Sequence, residues 1–457
     1  ELAVKETGMG LYEDKILKNQ GKPKVVWQKL KGVKSRNIIK YIPEEGLVEI
    51  AKPVGVVAAV TPATNPTMTA AQNSMIALKG GNAIIVSPHP RAKKAGGEVV
   101  NYMREALKAV NAPVDLIQIL PEPSNEITQT LMKMCDINVA AGGKAIVGAA
   151  YSSGKPSYGV GPGNNQCVVD RDVKIEDYID MVIKGRTYDN GILCTCEQTL
   201  IVPREQLKDV IAALEDKSGY YVEGQDVDKF RDALFPNKAI NPKVIGRPAH
   251  EIGEITGINV SKDKKFIFVV SEKCGEEELF SKEKLCSVLN VIAYDEFDNA
   301  INIAKTNLLY EGEGHSAVIH SHTKENIEKL SVALPVSRVV VNQQGSNGLG
   351  GALYNGLNPT GTLGCGSWGN NSLSENLWWH HLVNISRLAY VKKDIKVVTK
   401  DGTVMAMAYV MAKEYEKLPA EPVRYYVDVI RQGYMDNKIP TDVLMEAVDK
   451  NIKELKF

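Results

Sequence analysis

The stretch VGVVAAVTPATNPTMTAAQNSMIALKGGNAIIVS, residues 54–87, sets the rhythm of the first half of the chain. It opens with VGVVAAV, a short apolar run typical of a buried strand, and continues with TMTAAQNSMIALKGG, a helix that ends at glycines. The next strand is NAIIVS, and helices and strands alternate onward to DINVAA at 136–141. This alternation predicts a parallel, doubly wound α/β sheet, whose ligands lie beyond the carboxyl ends of the strands.

A second α/β rhythm begins near residue 165 and continues through VSRVVVN at 336–342. A chain of 457 residues is too long for one ordinary core, so we expect two lobes. The turn-rich segment GVGPGNN, 159–165, marks the boundary between them. We therefore predict one domain at 1–160 and a second at 161–375.

Residues 37–53 alternate apolar and polar side chains around a Pro-Glu-Glu-Gly turn, which predicts a long hairpin. The hairpin is either an arm for oligomerisation or a surface hairpin of one domain, and a strand within 376–393 could pair with it. Residues 12–34 are polar and rich in lysine, and predict a surface helix and loop. A helical extension is predicted for 394–457.

The charge balance and the cysteine count exclude several classes of protein. Lys plus Arg and Asp plus Glu both number 55, so the chain lacks the basic excess that nucleic-acid binding needs. No apolar run approaches the roughly 18 residues of a membrane helix. The seven cysteines are scattered and odd in number, which is typical of reduced thiols in a cytosol-like compartment. We predict a cytoplasmic globular protein with neither nucleic acid nor membrane as partner.

Two cysteines lie one residue apart in DNGILCTCEQ, residues 189–198. We predict no metal site, because zinc needs a second spaced pair and adjacent His380 and His381 would face opposite sides of a strand. A nucleophile remains, since backbone N–H groups exposed at a turn lower a thiol pKa and stabilise an oxyanion. A buried structural cysteine is the alternative.

Two segments are candidates for holding phosphate. AAGGKAIVGAAY, 140–151, follows a predicted strand and opens a helix with two glycines, whose free N–H groups attract anions. SPHPRAKK, 87–94, places basic residues directly after another strand. Close packing of the glycines and a solvated basic loop are the alternatives.

Seven stretches, in order, resemble the coenzyme-A-acylating branch of the aldehyde dehydrogenase superfamily, especially acylating succinate-semialdehyde dehydrogenases and the acylating half of bifunctional aldehyde/alcohol dehydrogenases. They are TPATNPT (61–67), IIVSPHPRAKK (84–94), AYSSGKPSYGVGPGNN (150–165), GRTYDNGILCTCEQ (185–198), KEKLCSVL (282–289), YEGEGHSAVIHS (310–321) and LGCGSWGNNSLSEN (363–376). The resemblance covers about residues 5–393. It implies a nucleotide-binding domain at 1–160, a catalytic domain at 161–375, and a strand at 376–393 that pairs with an oligomerisation arm.

The resemblance also implies the chemistry of the cysteine segment. Cys194 is the matching nucleophile and Cys196 a bystander. The Cys194 thiolate attacks an aldehyde, and the resulting oxyanion is held by the Cys194 N–H and by the side chain of Asn65, whose alternative role is turn formation before Pro66. Hydride transfer to a nicotinamide leaves a thioester, which coenzyme A then collects.

One departure from hydrolytic relatives favours this thiol acceptor over water. Those enzymes carry a glutamate that activates the deacylating water, and the matching position here is Gly161 in GPGN. Without a positioned base, water is a poor competitor for the thioester.

The remaining candidate residues also come from the resemblance. Glu283 matches the glutamate that holds the nicotinamide ribose, with a surface charge as its alternative. His315 matches a histidine that activates CoA or positions the cofactor, with a structural role as its alternative. The other candidates for cofactor or CoA contact are Thr61, Pro62, His89, Arg91, Lys93, Gly142, Gly143, Gly161, Gly163, Gly364 and Gly366.

We therefore expect a CoA-acylating aldehyde dehydrogenase that uses NAD or NADP, with an acyl-phosphate reductase of the same fold or a non-catalytic nucleotide-binding scaffold as alternatives. A homodimer or homotetramer is expected, and a terminal helix could address the protein to a bacterial microcompartment shell. The aldehyde stays open among acetaldehyde, propionaldehyde, succinate semialdehyde and sulfoacetaldehyde. Arg338 and Lys155 are candidate cations for an anionic substrate.

Overall fold

The computed structural model describes residues 1–390. One compact unit comprises Glu1–Arg36 and Ala51–Asn384, and the second comprises Asn37–Ile50 and, within the described part, residues 385–390. The extension predicted for 394–457 lies outside the described residues. Among those described, no helix combines the length and apolarity required to cross a membrane.

The strands are β1 (Asn37–Ile42), β2 (Leu47–Pro53), β3 (Val56–Thr61), β4 (Ala83–Pro88), β5 (Ile117–Ile119), β6 (Ile137–Ala141), β7 (Ser157–Val160), β8 (Asn165–Val169), β9 (Glu197–Pro203), β10 (Gly219–Val222), β11 (Phe266–Val270), β12 (Val288–Tyr294), β13 (Ala317–His320), β14 (Val339–Val341) and β15 (Val383–Ala389). The helices are α1 (Leu2–Thr7), α2 (Tyr12–Leu30), α3 (Pro66–Lys79), α4 (Lys93–Ala109), α5 (Asn125–Met134), α6 (Lys144–Tyr151), α7 (Ile175–Thr187), α8 (Leu207–Asp216), α9 (Asp226–Leu234), α10 (Ala249–Thr256), α11 (Phe297–Tyr310), α12 (Lys324–Ala333) and α13 (Gly345–Gly348).

The first sheet has five parallel strands in the order β5-β4-β3-β6-β7. Its core is built from the apolar faces of β3, β4 and β6 packed against α2 and α3, including Val57, Ile84, Val139 and Ile76. Helices cover such a sheet because both faces of a parallel sheet must be buried. The strand–helix–strand unit predicted for 54–87 is confirmed.

The second sheet has seven parallel strands in the order β10-β11-β12-β9-β8-β13-β14. The predicted α/β class with parallel sheets is therefore confirmed. The strands β7, β10 and β12 and the helices α1, α9, α10, α12 and α13 were not predicted from the sequence. β12 is buried along its whole length and therefore shows no alternation of apolar and polar residues.

A separate three-stranded sheet has the order β1-β2-β15, so the predicted hairpin and the late strand do pair. Within it, Arg387 forms an ion pair with Glu49 at 3.3 Å. The role of this sheet in oligomerisation stays a prediction.

Candidate active site

The amino ends of five neighbouring strands of the second sheet carry the predicted catalytic segments. GPGN precedes β8, the cysteine segment precedes β9, KEKLC precedes β12, and GEGH precedes β13. Arg338 directly precedes β14, which is the next strand in the sheet. Because amino ends of parallel strands share one edge, segments far apart in sequence meet there. The carboxyl-end rule applied above to the first sheet therefore does not describe where these segments meet in the second sheet.

Within residues 1–390, GPGN is the segment that passes directly from a strand of the first sheet to a strand of the second. It joins the carboxyl end of β7, which closes at Val160, to the amino end of β8, which begins at Asn165. The carboxyl edge of the first sheet thus adjoins the amino edge of the second. A ligand held by the first sheet is in this way presented to groups of the second.

Cys194 is partly exposed, whereas its flanking residues Leu193 and Thr195 are buried. Within residues 1–390 its backbone N–H has no acceptor, so this donor is free for an oxyanion. Burial raises the pKa of the Cys194 thiol far above its ordinary value, and the Glu283 carboxylate adds to the increase. The guanidinium of Arg338 acts in the opposite direction and favours the thiolate.

Cys196 has a different environment. It is fully buried in an apolar cluster with Met9, Ala63 and Ile192. Burial raises its pKa to about 12. The raised pKa is common to both cysteines, but only Cys194 is partly exposed, and the inaccessibility of Cys196 supports the bystander role predicted for it.

The segment that carries Cys194 is held by a buried arginine that the sequence analysis missed. Arg186 donates to the carbonyl oxygens of Gly191 at 2.5 Å and Glu197 at 3.0 Å, on either side of the cysteine. A Cβ at Gly191, where φ is 69°, would overlap the Arg186 guanidinium and the Cys286 carbonyl group. The glycine of the Asn-Gly turn is thus needed both for its backbone angle and for space.

Helix α2 contradicts the prediction of a purely surface helix at 12–34, because Lys15 and Lys18 on this helix are buried. Lys15 pairs with the buried carboxylate of Asp189 at 2.9 Å, and Lys18 pairs with the same oxygen. Lys18 also donates to Oδ1 of Asn65 at 2.5 Å. Charged side chains this deep occur where they are paired, and here the partner comes from the cysteine segment itself.

The contact with Lys18 fixes the orientation of the Asn65 amide. An ammonium group can only donate, so the atom that faces it must be Oδ1, and Nδ2 must point elsewhere. Within the described part of the chain Nδ2 has no acceptor. Asn65 is also the residue directly before α3. Its amide donor is therefore free, as an oxyanion contact requires.

Glu283 lies next to the turn that supports the nucleophile. Its carboxylate accepts a hydrogen bond from the Gly163 N–H at 3.1 Å. Gly163 in turn packs so closely on Cys194 that a Cβ would overlap the carbonyl group of the cysteine. Burial raises the pKa of Glu283 to about 8, and the neighbouring Glu311 contributes to this increase. The alternative of a solvated surface charge does not describe this residue.

His315 is fully buried, and its Nδ1 lies 2.8 Å from Oγ of Ser316. Burial, assisted by Arg338, lowers its pKa to about 3, so the imidazole is neutral. Its carbonyl oxygen accepts a hydrogen bond from Arg338 at 2.8 Å, and the carbonyl oxygen of Gly364 accepts a second one. The segment around His315 thus positions the guanidinium that lies near Cys194 and Cys365.

The candidates from the first sheet gather at the carboxyl ends of β4, β3 and β6. The His89 N–H donates to the Thr61 carbonyl at 3.1 Å, and Pro62 follows on the same edge. Gly142 and Gly143 follow β6, and a Cβ on Gly143 would meet open space. This edge can admit a dinucleotide, with Gly143 at the start of α6 beside its phosphates.

Several donors of the basic loop after β4 that the sequence offers for phosphate binding already have partners within the protein. Glu6 accepts hydrogen bonds from the backbone N–H groups of Lys94 and Ala95, both at 2.8 Å. Lys93 is paired with Glu122, whereas Arg91 is exposed. The amino end of α4 is therefore already occupied by the Glu6 carboxylate. Arg91 is a better candidate for phosphate contact than Lys93.

Gly364 and Gly366 are buried, and their N–H groups donate to the carbonyl oxygens of Glu375 and Leu373. These two glycines therefore stabilise the 363–376 loop through hydrogen bonds inside it. A cleft of about 310 Å³ lies beside them, between α6 and the catalytic segments. Its lining includes Gly148, Tyr151, Gly161, Pro162, Glu311 and Trp368.

The reason given for excluding a metal at His380 and His381 is wrong, because these residues lie in a 3-10 turn and not in a strand. Their ring nitrogens and the Glu375 carboxylate lie within 4.8 Å of one another. Nδ1 of His381 accepts the Trp378 N–H at 2.8 Å, so Nε2 carries the hydrogen that faces Glu375 at 2.9 Å. That hydrogen bonding leaves Nε2 without a lone pair for a metal.

Comparison with known proteins agrees with this geometry. Residues 25–233 match the model of the aldehyde dehydrogenase family. The chain is 48% identical to the succinate-semialdehyde dehydrogenase (acetylating) of Clostridium kluyveri over 396 residues, which are 86% of this chain and 87% of that protein. The chain belongs to the aldehyde dehydrogenase family.

Solved structures of this aldehyde dehydrogenase family place the chain in its acylating branch. The acetylating aldehyde dehydrogenase of Geobacillus thermoglucosidasius is 37% identical with a TM-score of 0.83, over 86% of this chain and 88% of that one. The propionaldehyde dehydrogenase of Rhodopseudomonas palustris, solved with bound CoA and an acylated cysteine, is 27% identical with a TM-score of 0.75, over 85% of this chain and 86% of that one.

Proposed function

We propose that this protein is a reversible CoA-acylating aldehyde dehydrogenase that converts a short-chain aldehyde, CoA and NAD(P)+ into acyl-CoA and NAD(P)H, with Cys194 as the nucleophile. The observation that carries the proposal is the meeting of Cys194, Gly163 and Glu283 at one sheet edge. Within residues 1–390 the backbone N–H of that cysteine has no protein acceptor. The acylated cysteine of the Rhodopseudomonas enzyme supports a thioester in this branch.

The first half of the reaction follows from the residues around Cys194. Its sulfur forms a bond to the aldehyde carbon, and the carbonyl oxygen becomes an oxyanion that the Cys194 N–H and Asn65 Nδ2 stabilise. Arg338 favours the thiolate form that attacks. The nicotinamide cofactor, when bound, supplies the acceptor for the hydride. Thr61, Gly142, Gly143 and Glu283 would hold it.

The second half transfers the acyl group from one sulfur to another. The thiolate of CoA attacks the thioester carbon, the bond to Cys194 breaks, and the cysteine leaves as a thiolate. Gly161 offers no side chain that could activate water, so a thiol is the favoured acceptor. The cleft beside Gly161 and Trp368 is the route that we propose for CoA.

A panel of aldehydes, assayed with and without CoA against NAD+ and NADP+, tests the proposal. We expect NAD(P)H formation to require CoA. An acyl-phosphate reductase would instead reduce an acyl phosphate without CoA, and a binding scaffold would show neither activity. Release of free acid at the same rate with and without CoA would overturn the proposal.

We also propose that the three-stranded β1-β2-β15 sheet mediates a homodimer or homotetramer in the cytoplasm. The pairing of the hairpin with a late strand supports this. The suggestion that a terminal helix addresses a microcompartment shell falls on residues outside the described part of the chain.

A further inference from the structure

Helix α2 presents three lysines on one face, at positions 15, 18 and 22. Residues spaced by three and four lie above one another on a helix, so the three ammonium groups form a row. The first two are buried in the ion cluster around Asp189. The third continues the row by one helical turn beyond Lys18.

Lys22 differs from its two neighbours in having no carboxylate partner among residues 1–390. Its Nζ donates to the carbonyl oxygen of Asn347 at 2.8 Å. The cluster around Lys18 contains two carboxylates, Asp14 and Asp189, and both lie toward the earlier turn. The row of lysines therefore carries one positive charge without a counterion, and that charge is on Lys22.

The unpaired ammonium group lies beside the nucleophile segment. Its partner Asn347 follows Ser346, whose carbonyl oxygen is 3.5 Å from Oγ1 of Thr195. Thr195 is the residue directly after Cys194. Lys22 is also one turn from Lys18, which contacts the amide of Asn65. Lys22 is thus connected to the cysteine segment through the 346–347 loop, and to the oxyanion amide through its helical neighbour Lys18.

We propose that Lys22 binds an anionic group at the far end of the substrate, so that the preferred aldehyde carries a carboxylate or a sulfonate. This inference rests on the proposed function and specifies its substrate class. Lys22 is then a specificity-determining residue, and Lys18 is a positioning residue for the oxyanion donor.

The length of the row indicates the length of the substrate. Lys18 and Lys22 are four residues apart, which is an advance of about 6 Å along the helix axis at about 1.5 Å per residue. In a four-carbon ω-oxo acid the aldehyde and carboxylate carbons are about 4 Å apart, at roughly 1.5 Å per bond. With its aldehyde oxygen at Asn65, such a molecule places its carboxylate near Lys22. A two-carbon sulfonate is shorter and reaches less well.

The two cations named from the sequence are less suited to this role. Both terminal nitrogens of Arg338 are already bonded to the carbonyl oxygens of His315 and Gly364. Lys155 lies near Cys135, at the far side of the first sheet. Burial and the charge of Lys18 lower the pKa of Lys22 to about 8, which leaves it mostly protonated at pH 7 and able to gain from a bound anion.

Steady-state kinetics of Lys22→Met with 4-oxobutanoate and with butanal, its neutral analogue of equal chain length, tests the proposal. We expect kcat/KM for 4-oxobutanoate to fall about 10- to 100-fold, mainly through KM, because a charged hydrogen bond is lost. Butanal kinetics should not change, and Lys22→Arg should restore most of the preference. Sulfoacetaldehyde distinguishes a sulfonate from a carboxylate substrate.

Lys29→Met is the matched control, because Lys29 lies on the same helix and also donates to loop carbonyls, those of Asn355 and Leu357. It should leave both substrates unaffected. An equal loss for 4-oxobutanoate and butanal in Lys22→Met, or no loss for either, would overturn the assignment. Calorimetric binding of unreactive succinate to wild type and Lys22→Met tests it without turnover. A failure of the proposed function would appear separately, as absent CoA-dependent turnover of both aldehydes.

Discussion

Replacing Gly161 with glutamate should convert the protein from thiol-dependent to water-dependent release of its acyl group. A Cβ at Gly161 would lie 3.6 Å from its nearest neighbour, Sγ of Cys365, which is an ordinary van der Waals contact. Gly161 also borders the cleft beside α6. A side chain at this position therefore has room, and it lies two residues from Gly163, which packs on Cys194.

The size of the effect follows from the chemistry of a positioned base. General-base assistance contributes about 10²- to 10⁴-fold to proton-transfer steps. We therefore expect Gly161→Glu to raise CoA-independent NAD(P)H formation by about 100-fold or more, with free acid as the product. Gly161→Gln is the matched control, because it has the same shape without the base.

The assay follows NAD(P)H formation at saturating aldehyde with and without CoA, and quantifies free acid and acyl-CoA by chromatography. If Gly161→Glu folds, binds dinucleotide and releases no more acid than Gly161→Gln, the reasoning about the missing base is wrong. Gly163, two residues away, has no such room, because a Cβ there would overlap Cys194. Gly163→Ala should therefore abolish turnover with either CoA or water as acceptor.

Three further outcomes are expected. Cys194→Ser should lose CoA-dependent turnover and still bind dinucleotide in a fluorescence titration, while Cys196→Ser keeps most activity; the reverse pattern would move the nucleophile. Lys18→Met should lower kcat by about 10²-fold, because the Asn65 amide that donates to the oxyanion is no longer held in place. Lys15→Met loses only the shared ion pair with Asp189 and should lower kcat much less. Equal losses in the two variants would contradict the positioning role of Lys18. Burial raises the pKa of Glu197 from 4.5 to about 7. Between these pH values the folded state binds a proton that the unfolded state has lost, so the free energy of unfolding should fall as pH rises. Urea unfolding of Glu197→Gln should show a flatter pH profile over that range, and an unchanged slope would contradict the assignment.

The sequence was sufficient where the information is local. The run at 54–87 specifies strand, helix and strand through apolar spacing and terminal glycines, and β3, α3 and β4 form there. The turn at 189–191 is likewise encoded by Asn-Gly, whose residues take positive φ values. Short-range geometry needs no knowledge of the rest of the chain.

The composition of the lysine-rich helix misled the sequence analysis, because a charged residue is usually solvated. Only the fold brings Asp189 of the cysteine segment against Lys15 and Lys18, and thereby makes their burial tolerable. In the same way, the sequence shows Arg186 only as one of the charged residues of a helix. In the structure it is fully buried and holds the cysteine segment in place.

The sequence by itself determined the α/β class, the two successive rhythms and, through resemblance, the residue expected to carry the chemistry. The tertiary structure alone decided where that residue acts: the order β12-β9-β8-β13-β14 brings Glu283, Cys194, Gly163, His315 and Arg338 to one edge. Strand order depends on pairing between segments that lie far apart along the chain, such as Gln166 of β8 with Ala317 of β13. Local patterns fix what each segment becomes, but burial and pairing in the assembled sheet fix which segments meet.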